Sequence, residues 1–113
     1  MTLDGLIPAL TRARTLSEAL DAARRDADFS SLDGLRAPLL AGLLSRRERP
    51  AMLIVTATGR ESEAVAAALR CMLPAGGEVV NFPAWETLPH ERLSPSAETV
   101  GARLAALLSL IHI

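Results

Sequence analysis

Apolar residues recur at helical spacing over much of this chain. Leu3, Leu6, Ile7 and Leu10 fall one turn apart, and Leu16, Ala19, Leu20 and Ala23 repeat the pattern after a break. Thr15-Leu16-Ser17-Glu18 has capping-box spacing, so the two stretches predict a short pair of antiparallel helices, the second opening at Thr15. Phe29 to Leu32 predicts a brief strand and Asp33-Gly34 a turn. A helix follows through Leu39, Leu40, Leu43 and Leu44, with Pro38 in its first turn, where a missing N–H costs nothing.

The pattern then changes. Met52-Leu53-Ile54-Val55 is a continuous, partly β-branched apolar run between Pro50 and Gly59, which suits a strand covered on both faces. Thr58-Gly59-Arg60-Glu61 again has capping-box spacing. Val65, Ala68, Leu69 and Met72 make a helical stripe that Pro74 stops. Glu78 to Phe82 predicts a further strand, and a proline-punctuated loop runs from Pro83 to Ser94. Ser94-Pro95 reads as N-cap and first position of a last helix, with Val100, Leu104, Leu107, Leu108 and Ile111 on one apolar face.

A strand, helix, strand order with short connections predicts a right-handed parallel crossover and an α/β layer architecture. The expected division is a helical segment over 1–27 and a partial α/β domain over 28–113. The last residues, Leu110-Ile111-His112-Ile113, bring neither a C-cap glycine nor a polar tail, so a fragment cut in mid-domain is expected.

Composition narrows the function classes. The formal net charge of -1 removes the long-range field that draws a protein onto nucleic acid or anionic lipid. The 12 basic residues are all arginine, and tyrosine is absent. The start has no basic, apolar leader and no apolar run approaches the roughly 20 residues of a membrane span, so a cytoplasmic protein without membrane contact is expected. Cys71 reads as a buried core thiol, and Phe29 and Phe82 as core rings.

A strand, then Asp33-Gly34-Leu35-Arg36-Ala37-Pro38, then a helix is the layout of a phosphate-binding loop. Its chemistry is lacking: a working loop needs several glycines and a lysine on the β- and γ-phosphates, whereas this one has a single glycine and the chain no lysine. A degenerate loop without cofactor is expected. Arg60 after the Met52–Val55 run could hold an anion, although ordinary capping explains the same residues. The run Arg46, Arg47, Arg49 could touch nucleic acid, but reads more simply as a solvated helix end. His90 and His112 lack partners at metal-ligand spacing, and Glu86, His90 and Glu91 have no nucleophile or oxyanion device beside them. No catalytic or metal site is expected. Trp85, between prolines 83 and 89, is expected to bury its ring and anchor its loop.

The run Asn81-Phe82-Pro83-Ala84-Trp85-Glu86-Thr87-Leu88-Pro89-His90-Glu91-Arg92-Leu93-Ser94-Pro95, with Glu98-Thr99-Val100 and Arg103-Leu104-Ala105-Ala106-Leu107 after it, resembles the signature near the N-terminus of the bacterial transcription-repair coupling factor family. Leu53 to Glu61 resembles the strand before that signature in actinobacterial members. The resemblance covers roughly residues 51 to 110. It marks Trp85, Glu86, Thr87, Leu88, Pro89, Ser94 and Pro95 as signature residues. It implies a large parent that translocates on DNA with ATP and magnesium, displaces stalled RNA polymerase and recruits excision repair through UvrA. The fold it implies for this region is a degenerate, incomplete helicase domain, RecA-like or UvrB-like, within a partial three-layer parallel sheet. The segment itself is then structural and regulatory, not an enzyme, while the parent is an ATP hydrolase. UvrB carries a tyrosine-rich hairpin near the Trp85 position; with no tyrosine here, that role is not carried over. Read from the residues alone, a small phosphate- or nucleotide-binding α/β domain is the alternative.

Overall fold

The computed structural model describes residues 3, 5–46, 51–74, 77–88 and 90–111. Among the described residues there are five helices: α1 (Leu6–Thr11), α2 (Arg14–Ala22), α3 (Asp33–Ser45), α4 (Gly59–Met72) and α5 (Ala97–Ile111). Among the described residues there is no strand, so the α/β expectation and its parallel sheet are overturned.

The reason lies in what the extended segments bind. Residues 51–56 and 77–85 do run without helix on either side of α4, but neither joins a ladder. A lone extended segment is not a strand, because strand stability comes from paired neighbours. Side chains of α4 hold the second segment instead: Arg70 Nη2 donates to the Val79 carbonyl at 3.0 Å and Ser62 Oγ donates to Asn81 Oδ1. The first segment points Ile54 at the core and leaves Leu53 86% and Val55 83% exposed, the alternation of an extended chain covered on one side only. Phe29 to Leu32 is likewise unpaired, with Phe29 and Leu32 exposed.

The core joins distant parts of the sequence. Ile7 of α1, Ala41 of α3 and Leu69 of α4 are buried together, with Leu40, Leu44, Ile54, Val65, Met72 and Val79 around them. α4 forms as its sequence predicts. Thr58 accepts a hydrogen bond from the Glu61 N–H at 3.2 Å, while Glu61 reaches back to the Ala57 N–H at 3.3 Å. The predicted stripe of α4 faces inward, and the helix ends just before Pro74.

α2 and α3 differ from expectation at their starts. α2 opens at Arg14 with Ala13 as N-cap, so Thr15 lies inside the helix, and Glu18 pairs with Arg14 at 2.9 Å rather than capping. Asp33-Gly34 is the first turn of α3, which places Pro38 in the helix interior. α3 buries small residues, Pro38, Ala41 and Gly42, and lets α2 come close. A Cβ built on Gly42 would lie 3.3 Å from Leu20 Cδ2, and Leu20 is 1% exposed. Arg46 at the end of α3 donates to Asp21 of α2 at 2.7 Å, and this hydrogen bond chiefly holds the Asp21 carboxyl below its usual range.

α5 lies apart from this helical group and packs on the loop before it. Its buried residues are Thr99 and Ala106. The leucine face read from the sequence is turned outward: Leu104, Leu107, Leu108 and Ile111 are all exposed. Cys71 is exposed too, because it follows Leu69 by two residues and so leaves the buried side of α4. Phe82 is half-exposed, lying on an extended segment outside the buried core.

Candidate functional site

The best-built polar arrangement in the molecule joins the Trp85 loop to the start of α5. Ser96 precedes the helix, and its hydroxyl accepts from the Thr99 N–H at 3.2 Å, which is N-capping two residues later than Ser94-Pro95 predicts. The Glu86 carboxylate then covers the same helix end. Oε2 accepts from the Ser96 N–H at 3.1 Å, and Oε1 accepts from the Ser96 hydroxyl at 3.0 Å and the Thr99 hydroxyl at 2.6 Å. These hydrogen bonds, that of Thr99 first, lower the Glu86 pKa below its ordinary 4.5. A carboxylate here also meets the positive end of the helix dipole.

Arg103, two turns into α5, fixes the other side of the loop. Its guanidinium carbon sits 3.9 Å from the centre of the Phe82 ring and 4.2 Å from that of Trp85, and Nη1 donates to the Pro83 carbonyl. One planar cation therefore holds two aromatic rings and a backbone oxygen. Trp85 remains 51% exposed, so it anchors its loop by stacking on arginine and not by burial in an apolar groove. Farther along, Glu91 Oε2 accepts from the Leu88 N–H at 3.1 Å and the Glu91 N–H donates to the Leu88 carbonyl at 3.0 Å, which closes the loop on itself.

Of the signature residues, Trp85 and Glu86 take part in this clamp. Thr87 and Leu88 continue the loop, Ser94 and Pro95 lead into the α5 cap, and Pro89 lies outside the described residues. Ser96, Thr99 and Arg103 complete the clamp, and spacing reveals their roles only in retrospect: Ser96 and Thr99 stand three apart across a helix start, with Arg103 one turn on. Glu86 and Glu91 are engaged in capping and turn closure, and His90 is exposed beside them.

The other sequence candidates are dispersed. Asp33, Gly34, Leu35, Arg36, Ala37 and Pro38 all belong to α3. Arg36 pairs with Asp33 at 3.2 Å and with Glu61 across on α4. Arg60 is exposed in the first turn of α4. Arg46 is paired with Asp21, and Arg47 and Arg49 lie outside the described residues. Among the described residues no three His, Cys, Asp or Glu side chains come together in the manner of metal ligands. No helix of the described residues is long and apolar enough to cross a membrane.

Trp85 and Glu86 of the clamp lie in the signature run and Ser96, Thr99 and Arg103 follow it, and similarity to known proteins extends well beyond these residues. Over 109 residues, 96% of its length, this chain is 42% identical to the transcription-repair-coupling factors of Mycobacterium bovis and Mycobacterium tuberculosis. The chain is homologous to part of transcription-repair-coupling factor. It spans about 9% of the length of these curated relatives. No family model matches the chain, and no solved structure matches it. The similarity to transcription-repair-coupling factor takes in the first fifty residues as well as the signature, so α1 to α3 share the relationship with the Trp85 clamp.

Proposed function

We propose that this chain serves as a non-catalytic, structural and regulatory segment of a transcription-repair-coupling factor acting in DNA repair in the cytoplasm. The whole protein then couples ATP and magnesium to movement on DNA, displaces stalled RNA polymerase and brings in UvrA. Those activities and partners belong to other parts of the polypeptide. The observation that carries this reading is the 42% identity over 109 residues to the mycobacterial factors.

Two features support a non-catalytic role for the segment. The sequence has no lysine to reach a nucleotide's terminal phosphates. Asp33 to Pro38, the stretch with phosphate-loop layout, is wound into α3, and its Arg36 is tied to Asp33 and Glu61. The polar clamp of Glu86, Ser96, Thr99 and Arg103 is spent on internal structure, which suits a segment that works through contacts with neighbouring domains.

Deleting the 109 matched residues from the mycobacterial factor tests the reading. ATP hydrolysis is expected to be kept or raised while repair coupling falls, as when a restraining contact is removed from a motor. A deleted factor that folds yet hydrolyses no ATP would place the segment in the motor. Calorimetry of the 113-residue chain with ATP and magnesium adds a second arm: affinity tighter than about 100 μM, roughly 5.5 kcal/mol, contradicts the non-catalytic role.

A further inference from the structure

α5 buries its wrong face, by the usual measure of a helix. With about 100° of turn per residue, Val100, Leu104, Leu107, Leu108 and Ile111 occupy one stripe roughly 100° wide, while Thr99, Arg103 and Ala106 lie beside it toward the loop. The polar side is the one that packs. Leu104 is 55%, Leu107 48%, Leu108 55% and Ile111 74% exposed. No charged residue interrupts the stripe, since the charged residues of α5 are Glu98, in its first turn, and Arg103, which is held by Phe82, Trp85 and Pro83.

The whole chain shows the same deficit. A self-sufficient folded monomer of 12.0 kDa exposes about 6,000 Å², whereas this chain exposes 8836 Å². Its radius of gyration is 16.1 Å, against about 13 Å for a compact domain of this length. The surplus surface is roughly 2,800 Å², more than three times the 800 Å² or so that each partner contributes to an ordinary interface. A second copy of the chain meeting α5 along its stripe would cover little of it. Fifteen residues make a helix about 22 Å long with a footprint near 250 Å², so a copy that met only this stripe would fall below a stable interface, and the occupant has to reach beyond the stripe over more of the surplus surface. A lipid surface fits no better, because membrane-lying helices flank their apolar stripe with lysine and arginine, and the one arginine of α5 is engaged in the clamp.

We infer that the outward stripe of α5 is a docking surface for another part of a transcription-repair-coupling factor, which lays an extensive apolar protein surface over Leu104, Leu107, Leu108 and Ile111. This rests on the coupling-factor reading above and deepens it by naming the surface and its occupant. The clamp gives the surface its stiffness: Glu86 and Arg103 fix α5 from behind, so the stripe is presented already formed and its ordering cost is met before docking.

The test uses the 113-residue chain and, as probe, the mycobacterial factor lacking its 109 matched residues. Binding of one chain per factor is expected. Leu104→Asp with Leu108→Asp should weaken it at least 10-fold, whereas Leu35→Asp on exposed α3 should leave it within about twofold. All these positions are exposed in the free chain, and unchanged circular dichroism checks that each variant folds. Equal affinity for the wild type and the stripe variant overturns the inference, as does absence of binding. A concentration-dependent dimer abolished by Leu104→Asp, without binding to the factor, would assign the stripe to a second copy instead. Binding that depends on the stripe but leaves ATP hydrolysis by the factor unaltered would retain the docking surface and remove the regulatory role.

Discussion

The Thr99 hydroxyl, buried at the first turn of α5, donates a 2.6 Å hydrogen bond to the carboxylate of Glu86, thirteen residues earlier in the chain. Through that bond the residue next to Trp85 becomes part of the end of a helix. Glu86 of the signature thus has a physical role as a cap, with Arg103 stacked on the neighbouring Trp85 from the next turns of the same helix.

Because its hydroxyl satisfies the Thr99 N–H, Ser96 should be the most sensitive capping position. Ser96→Ala is expected to lower the stability of the chain by about 1 kcal/mol, and Ser96→Asp to recover most of it. Urea unfolding midpoints measure both. Equal midpoints for wild type and Ser96→Ala would show that Glu86 caps the helix unaided.

The Glu86 pKa is lowered on folding, so its contribution to stability is fully present above the ordinary value of 4.5 and is lost as pH falls through the lower folded value. Trp85, the only tryptophan, reports on this locally. Its emission should hold steady from neutral pH to about 5 and move toward that of a solvated indole below the usual carboxylate range. Glu86→Gln should give the shifted emission at every pH. Asp21 also has a lowered pKa, but it titrates between α2 and α3 and away from the Trp85 loop. An unchanged acid transition in Glu86→Gln would assign the effect elsewhere.

Arg103→Lys should not be conservative. An ammonium cannot lie flat between Phe82 and Trp85 while donating to Pro83, so the change is expected to cost about 1 kcal/mol and to alter Trp85 emission nearly as much as Arg103→Ala does. Lysine restoring wild-type emission would mean that charge alone holds the ring.

In the helical group, Leu20 fills the space that Gly42 leaves open. Leu20→Ala should cost about 3 kcal/mol through lost burial and the cavity that remains. Gly42→Val should destabilise for the opposite reason, because its side chain would enter the volume Leu20 occupies. A thermal melt of each variant decides. If Gly42→Val melts with the wild type, the α2–α3 approach is looser than the structure has it.

The sequence disclosed the helices better than their faces. α4 was legible because three signals agree over 58–74: a Thr58 cap, an apolar period and a stopping proline. The two apolar runs around it are extended, as their β-branched residues suggest, yet extension is a local property and a sheet is not. Arg70 occupies the Val79 carbonyl that a ladder would use while Ser62 holds the Asn81 side chain, and nothing in the spacing of Glu78 to Phe82 announces that. α5 misled for a related reason. Its leucines make the stronger pattern, but the face that packs is chosen by Thr99 and Arg103, whose partners lie in a loop with no periodicity. Asp33-Gly34 reads as a turn by residue type, and helix propagation through Leu35 to Ser45 overrides it. The signature residues were visible from resemblance, and their physical meaning required the loop and the helix side by side.

If this chain does the work of the corresponding part of a coupling factor, it should be able to take that part's place. The 109 matched residues of the Mycobacterium tuberculosis factor are replaced by this chain, and repair of the transcribed strand after ultraviolet damage is measured in cells whose own factor has been removed. Strand-specific repair well above that of the factor lacking these residues is expected, with Arg103→Ala in the inserted chain reducing the gain. A chimera that folds and hydrolyses ATP but repairs no better than the deleted factor would contradict that equivalence.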